Sequence, residues 1–467
     1  MTSQVEPRAA GAVRALRIGL ALFSAIAFFS LAADAPLLMG PEGLVPAEAL
    51  FGTLRSRGAS FSVLPSLFWF VTPTDVVLRA LSVVGGLLCL LSAWAPATPW
   101  LALPLGFLYL SFANAGMTFY SFQWDNLVVE SLVLGLFLGP RGPGRVGLFL
   151  YWWLLLRLYV EGGLAKLLWS DDWTSGVAMG NYWHTAPLPA PLVHLAAALP
   201  REAQRLMTWG TLVVEILLPP LLFVGPRARA ALFVLLTGLQ VAILLTANYG
   251  VFNYISMVLG LSLLVPWPSW GRERRQAALA LPLLLASLVV FAARFSRDTE
   301  LFPESARTIS RWRVANAYHL FARVDPERDE LELLGSDDGQ EWGRFPWRYK
   351  PPAPPALIAP YMPRVEFRLW FATLGNRDRP PGLVVQAPEY VERLMAIWCT
   401  EPERLEALAA GPVTAPVWVS LGFRRLTLND GEWVVEELGR HPAIWRCGEG
   451  SPKFPQVRSL LPLDLGG

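Results

Sequence analysis

Asn114–Glu130 reads NAGMTFYSFQWDNLVVE, and Arg157–Pro189 reads RLYVEGGLAKLLWSDDWTSGVAMGNYWHTAPLP. These two stretches decide the fold, because Asp125, Glu130, Arg157, Glu161 and Lys166 lie within or beside runs apolar enough for a bilayer. A charge at the centre of a membrane helix costs about 2.5–3.5 kcal/mol on insertion scales, so it faces a bundle interior or a wet cavity. The expectation is one hydrated pocket lined by these side chains and open away from the cytosol.

Outward from that core, apolar runs near the twenty-residue spanning length recur. They fall at about 17–33, 75–94, 98–115, 125–139, 146–168, 206–224, 229–247, 252–266 and 276–295, which predicts eight or nine spans in a polytopic α-helical domain over 1–295. Charge divides the chain at the same point. Residues 1–295 hold 18 Lys+Arg against 13 Asp+Glu, and residues 296–467 hold 21 against 24. Only 16% of the 467 residues are charged, against roughly 25% in soluble domains. Neither half has the basic face that nucleic acid requires.

Basic residues in short loops set orientation. Arg8, Arg14 and Arg17; Arg141 and Arg145; Arg227 and Arg229; and Arg272, Arg274 and Arg275 all fall on one side if nine spans start from a cytoplasmic N-terminus. The 116–124 and 169–205 connections and residues 296–467 then lie outside. The first span is read as retained, since Gly40-Pro41 and Pro46 continue without a new mature start.

Phe119, Tyr120, Phe122 and Trp124 are placed at the headgroup level, and Trp169, Trp173, Tyr182 and Trp183 in a segment on the outer membrane face. Asp125 and Glu130 point roughly 140° apart on a helix, so they are no acid/base pair. Asp125 is assigned to the helix N-terminus as a cap. Arg157 and Glu161, four apart, can pair along one helix. Gly162 and Gly163 allow close approach of another backbone. Lys166 has two readings: a member of a structural ion network, or a base with its pKa lowered by apolar surroundings. Asn114, Gln123, Glu215, Asn248 and Asn253 complete the polar interior, and His184 is a candidate proton-handling residue.

Residues 296–467 alternate like strands at Leu331–Leu333, Trp342–Tyr349 and Val417–Leu428, with a hairpin turn at Ser336-Asp337-Asp338-Gly339. Pro351-Pro352 and Pro354-Pro355 form a stiff connector, and Pro388–Ala410 carries one or two helices. The expectation is a soluble, β-rich, sandwich-like α+β domain. Cys89 reads as a core residue. Cys399 and Cys447 are either a disulfide or two buried thiols. The four histidines do not cluster, and no metal spacing, phosphate loop, GxSxG elbow, HExxH pair or dinucleotide fingerprint occurs, so neither metal nor cofactor is expected and the chain is not read as a lipase.

At these residues the chain strongly resembles the lipase maturation factor family, membrane proteins tied to the folding and release of secreted lipases. The matching pieces are NAGMTFYSFQWDNLVVE, RLYVEGGLAKLL with Trp173, YWHTAPLPAPL, VVEILLPPLLFVGPR and LLTANYGVFNYISMVLGLSLL, then LELLGSDDGQEWGRFPWRYKP, PYMPRVEFRLWFATLG and FRRLTL. Two departures are Ala186, where the family typically has glutamine, and Val160-Glu161, where it often has serines. A shorter stretch, GGLAKL with Trp173 and Gly176, is similar to vitamin K-dependent gamma-carboxylases, in which the lysine matching Lys166 is a catalytic base. The first resemblance implies a membrane maturation or folding factor for secreted lipases or other exported clients, acting through its exoplasmic loops and C-terminal domain. The second implies an alternative, an integral membrane enzyme using Lys166, with Glu161 and His184 nearby and a quinol-type lipid. Ala/Arg/Pro-rich usage suits a bacterial inner membrane with the C-terminal domain in the periplasm; in a eukaryote the endoplasmic reticulum would hold it.

Overall fold

The computed structural model of the protein describes residues 7–95, 98–139, 142–268, 274–296, 303–353, 356, 362–374, 387–429 and 432–455. Arg141, Arg272 and Pro354-Pro355, named above, lie outside the described residues.

Among the described residues six helices are long and apolar enough to cross a membrane: Ala10–Met39, Asp75–Trp94, Arg145–Trp169, Arg201–Phe223, Pro226–Thr246 and Arg274–Phe295. A β-rich region follows them. The other three expected spans are shorter helices, Ala102–Ala115, Gln123–Leu134 and Val251–Gly260. The 12 residues of Gln123–Leu134 reach only about 18 Å, well short of a bilayer core of about 30 Å. Nearly all of its side chains are buried, because its N-terminal end abuts protein instead of water or lipid. A two-residue ribbon, β1 (Leu138–Gly139) with β2 (Gly142–Pro143), closes the turn that follows.

Small residues let the long helices touch. A Cβ on Gly85 would sit 2.6 Å from the Phe28 ring, and one on Gly86 would sit 2.5 Å from Phe29, so the first two long helices interlock only because those side chains are missing. Gly163 does the same against Ile216 at 2.5 Å, as its sequence context led us to expect. Cys89 is buried in this core.

The β-rich region is one antiparallel sheet: β3 (Arg328–Ser336), β4 (Gly343–Arg344), β5 (Trp418–Asn429), β6 (Glu432–Arg440) and β7 (Trp445–Arg446), in the order β4-β3-β5-β6 with β7 on β5. The expected sandwich is absent, since the described residues of 296–467 hold no second sheet to pack against this one. Helices Arg364–Thr373 and Glu389–Thr400 cover this sheet instead: Thr373 donates to the Asp329 carbonyl, and Trp398 packs on Gly335. The hairpin is present, but its connection is longer than a two-residue turn and is held by Asp338, whose carboxylate accepts the Gln340 and Glu341 amides. Cys399 and Cys447 form a disulfide that ties the second helix to the residue after β7, settling that open choice.

Candidate functional site

The buried polar residues do not converge on one open pocket. They form separate sets, and most are satisfied by residues C-terminal to the last long helix. The strap, residues 311–323, is central to this. It leaves helix Pro303–Trp312 through Arg313, a non-glycine residue held at φ +50°. Arg313 donates to the Ala113 and Tyr120 carbonyls and to Asn114 Oδ1 and Asn126 Oδ1, at 2.6 to 3.1 Å. Asn114 Nδ2 in turn donates to the Pro65 and Arg311 carbonyls. Gln123 Oε1 accepts the His319 amide at 2.9 Å.

Deeper in, Glu130 pairs with Arg157 across two helices and accepts Tyr318 Oη at 2.7 Å and Asn316 Nδ2 at 3.2 Å. Arg157 also donates to the Asn316 carbonyl, and Glu161 accepts the Tyr318 amide at 2.8 Å. The expected Arg157–Glu161 bond along one helix is therefore replaced. The strap offers Glu161 an amide, while Glu130 is the nearer partner for the guanidinium. Glu161, one of the two departures from the family pattern, has this backbone role.

Asp125 belongs to a second set. It lies in the first turn of its helix, but its carboxylate meets Arg364 in two bonds of 2.7 and 2.9 Å and accepts Tyr109 Oη, so it caps no helix amide. Arg364 also donates to the Phe119 carbonyl, and its guanidinium stacks 4.0 Å above the Tyr120 ring. Phe119, Tyr120, Phe122 and Trp124 are all buried, with Phe122 and Trp124 against Phe367. Their expected place at the headgroup level is thus corrected: the Arg364–Thr373 helix covers them.

Lys166 bonds Glu215 at 2.8 and 3.0 Å and lies over the Trp173 ring. Glu215 sits on a π-helical turn, Val213–Leu217. Trp173 donates to the Phe321 carbonyl, and Trp173, Tyr182 and Trp183 are buried, so these rings pack inward instead of lying on the outer membrane face, while Asp171, Ser175 and Leu195 of the same connection stay exposed. Asn253 bonds Gln240, which bonds Tyr159, and Asn248 donates to the Ala356 carbonyl. His184 is half-buried on helix Ala178–Thr185, with its pKa lowered by burial against the partial offset of a bond to the Ala197 backbone. Of the trio Lys166, Glu161 and His184, Lys166 is committed to Glu215 and Glu161 to the strap; no hydrogen bond among the described residues joins any two of them. No group of three potential metal ligands occurs among the described residues.

Two features escaped sequence reasoning. Arg328, Glu330 and Glu332 alternate along β3, and a period of two points them at solvent. They are instead buried with Lys350 and Arg424. Lys350 meets Glu330 at 2.8 Å and Glu332 at 2.6 Å, Arg328 meets Glu330 at 2.7 Å, and Arg424 meets Glu332 at 2.7 Å. Burial works against the Glu330 carboxylate, but Lys350 and Arg328 overcome it and hold the pKa below the usual range. Arg328 reaches out of this cluster to the Ala186 and Pro187 carbonyls. The family glutamine missing at Ala186 is no obstacle there, because the backbone makes the contact. The second feature is Glu366, buried with neither carboxylate oxygen hydrogen-bonded among the described residues.

A family model described as the lipase maturation factor transmembrane domain matches residues 12–266, and one described as the lipase maturation factor C-terminal domain matches residues 314–397. The chain belongs to the lipase maturation factor family. It is 26% identical to "Lipase maturation factor 1" of Mus musculus, over 82% of this chain and 76% of the relative. It is also 26% identical to "Lipase maturation factor 2" of Homo sapiens, over 81% and 74%. "Lipase maturation factor 1" of Bos taurus is 25% identical over 90% and 84%. No solved structure matches. The C-terminal family region begins inside the strap, at the residue after Arg313, so in this family member the second matched region includes residues buried among the membrane helices.

Proposed function

We propose that this family member is a membrane-embedded maturation factor that holds immature exported lipases, or related exported proteins, on a composite surface built from the 169–205 connection and the β-sheet domain. The observation that carries the reading is a double clamp that fixes the β-sheet domain both to a helix of the membrane region and to that connection. Arg364 grips Asp125 and Arg328 grips the 186–187 backbone, so a membrane-fixed loop and the sheet present one rigid face to a client. Relatives named for lipase maturation support the client class. In this reading nine spans cover 1–295, the three short helices serving as spans completed by protein contacts. The basic clusters face the cytoplasm, and residues 296–467 face the periplasm of a bacterial inner membrane. Lys166 and Glu215 act as a structural pair beneath Trp173.

The test is a deletion strain complemented with the full chain, read by specific activity of secreted lipase and by mass spectrometry of exported proteins recovered with the tagged factor from membranes. Maturation restored by the full chain, with lipase among the recovered proteins, is expected. Unchanged lipase activity on deletion refutes the proposal.

A further inference from the structure

A groove of about 330 Å³ lies between the end of helix Ala178–Thr185, the strap and the end of helix Arg364–Thr373. That places it at the lower end of ligand sites, roughly 300–1,000 Å³. Tyr182, Phe321, Trp370, Phe371 and Leu374 form its walls, and Phe371 is 39% exposed.

Hydrogen bonding fixes its level in the bilayer. Arg323, on the groove lining, donates through Nε at 3.0 Å to the carbonyl of Trp169, the last residue of a spanning helix. Trp169 stacks on Phe295, the last residue of another, and the Arg294 guanidinium lies 4.7 Å above the Trp169 ring. Aromatic rings and long cations at the ends of spans mark the headgroup layer. Arg294 and Arg323 are both exposed. Two cations therefore meet at Trp169 at phosphate depth, beside an apolar trough. Asp325, two residues beyond Arg323, also lines the groove.

We propose that this groove binds one acyl chain of an anionic phospholipid, taken from the leaflet that faces the β-sheet domain, with its phosphate at Arg323 and Arg294. Charge complementarity selects this occupant. A phosphate answers both guanidiniums, a zwitterionic headgroup answers them less well, and an apolar peptide segment brings no anion.

The full-length protein is placed in phosphatidylcholine nanodiscs doped with phosphatidylglycerol carrying a diazirine on one acyl chain, then illuminated and mapped by peptide mass spectrometry. Label is expected on the peptides bearing Phe321 and Trp370–Leu374. Arg323→Glu should lower it about tenfold or more at an unchanged Tm, since each surface cation strengthens attraction to anionic lipid. Leu374→Trp, which fills the trough, should remove it, and the exposed change Phe371→Ser should weaken it if Leu374→Trp fails to fold. Three results overturn the proposal: label confined to the outer faces of the spanning helices, equal labelling by diazirine phosphatidylcholine, or labelling unchanged in Arg323→Glu and Phe371→Ser. Capture of an exported protein by benzoylphenylalanine at position 371, without lipid label, would assign the groove to a client and equally overturn it. Lipase maturation is scored separately, so loss of lipid label with normal secretion leaves the functional proposal standing.

Discussion

Replacing Arg364 by Met tests whether the β-sheet domain is clamped to the membrane helices by a buried charge pair. Arg364 makes two bonds to Asp125 and one to the Phe119 carbonyl, and it stacks on Tyr120, with both charged side chains essentially fully buried. Methionine keeps much of the stem's volume but leaves Asp125 buried with Tyr109 as its remaining hydrogen-bond partner. Removing one partner of such a pair costs about 3–5 kcal/mol. At 1.36 kcal/mol per factor of ten, opening of the interface should become roughly 10²–10⁴-fold more frequent. Replacing both partners, Asp125→Leu with Arg364→Met, removes the stranded charge. It should recover most of the loss, short of about 1–3 kcal/mol for the Tyr109 hydroxyl left unpaired. The assay is hydrogen–deuterium exchange of the purified protein in nanodiscs, followed over 116–126 and 364–373. Protection in Arg364→Met within tenfold of the parent, or a double variant no better protected than the single, would refute the clamp.

Lys166→Ala should destabilise by a similar amount, about 3–5 kcal/mol, by stranding Glu215, and Lys166→Ala with Glu215→Ala should restore both thermal stability and client secretion. Stability regained without secretion would give Lys166 a chemical role. Glu366 is pushed up to about 8, first by burial and then by Asp34, against partial relief from its own nearby backbone amide, Arg348 and Lys350. Its folded pKa lies above the unfolded value, so the carboxyl is neutral in the fold at low pH and stability falls as pH rises from about 4.5 to 8, by up to on the order of 4–5 kcal/mol. Glu366→Gln should flatten that fall in melting temperature; an unchanged pH profile contradicts it. The Cys399–Cys447 bond closes a 48-residue separation, for which chain entropy implies about 4 kcal/mol. Cys447→Ser should therefore make the β-sheet domain markedly more susceptible to protease, and a parent protein indifferent to reductant would argue against the bond.

By itself the sequence determined the membrane class, because transfer of apolar side chains from water depends on composition and run length. It also placed β5, the second C-terminal helix segment and the close approach at Gly163, where local period or residue size decides. Which buried charges meet was decided only by tertiary structure. Arg157 and Glu161 share a helix face, yet their partners Glu130 and Tyr318 come from other elements. Asp125 and Arg364 stand 239 residues apart. Helical spacing shows which side chains share a face and carries no information about the chain that covers it. The same limit hid the ion cluster on β3, whose alternation is that of a solvated strand. Its charges are buried because the 186–187 backbone, Lys350 and Arg424 arrive from elsewhere to satisfy them, and desolvated charge is tolerated only where such partners converge.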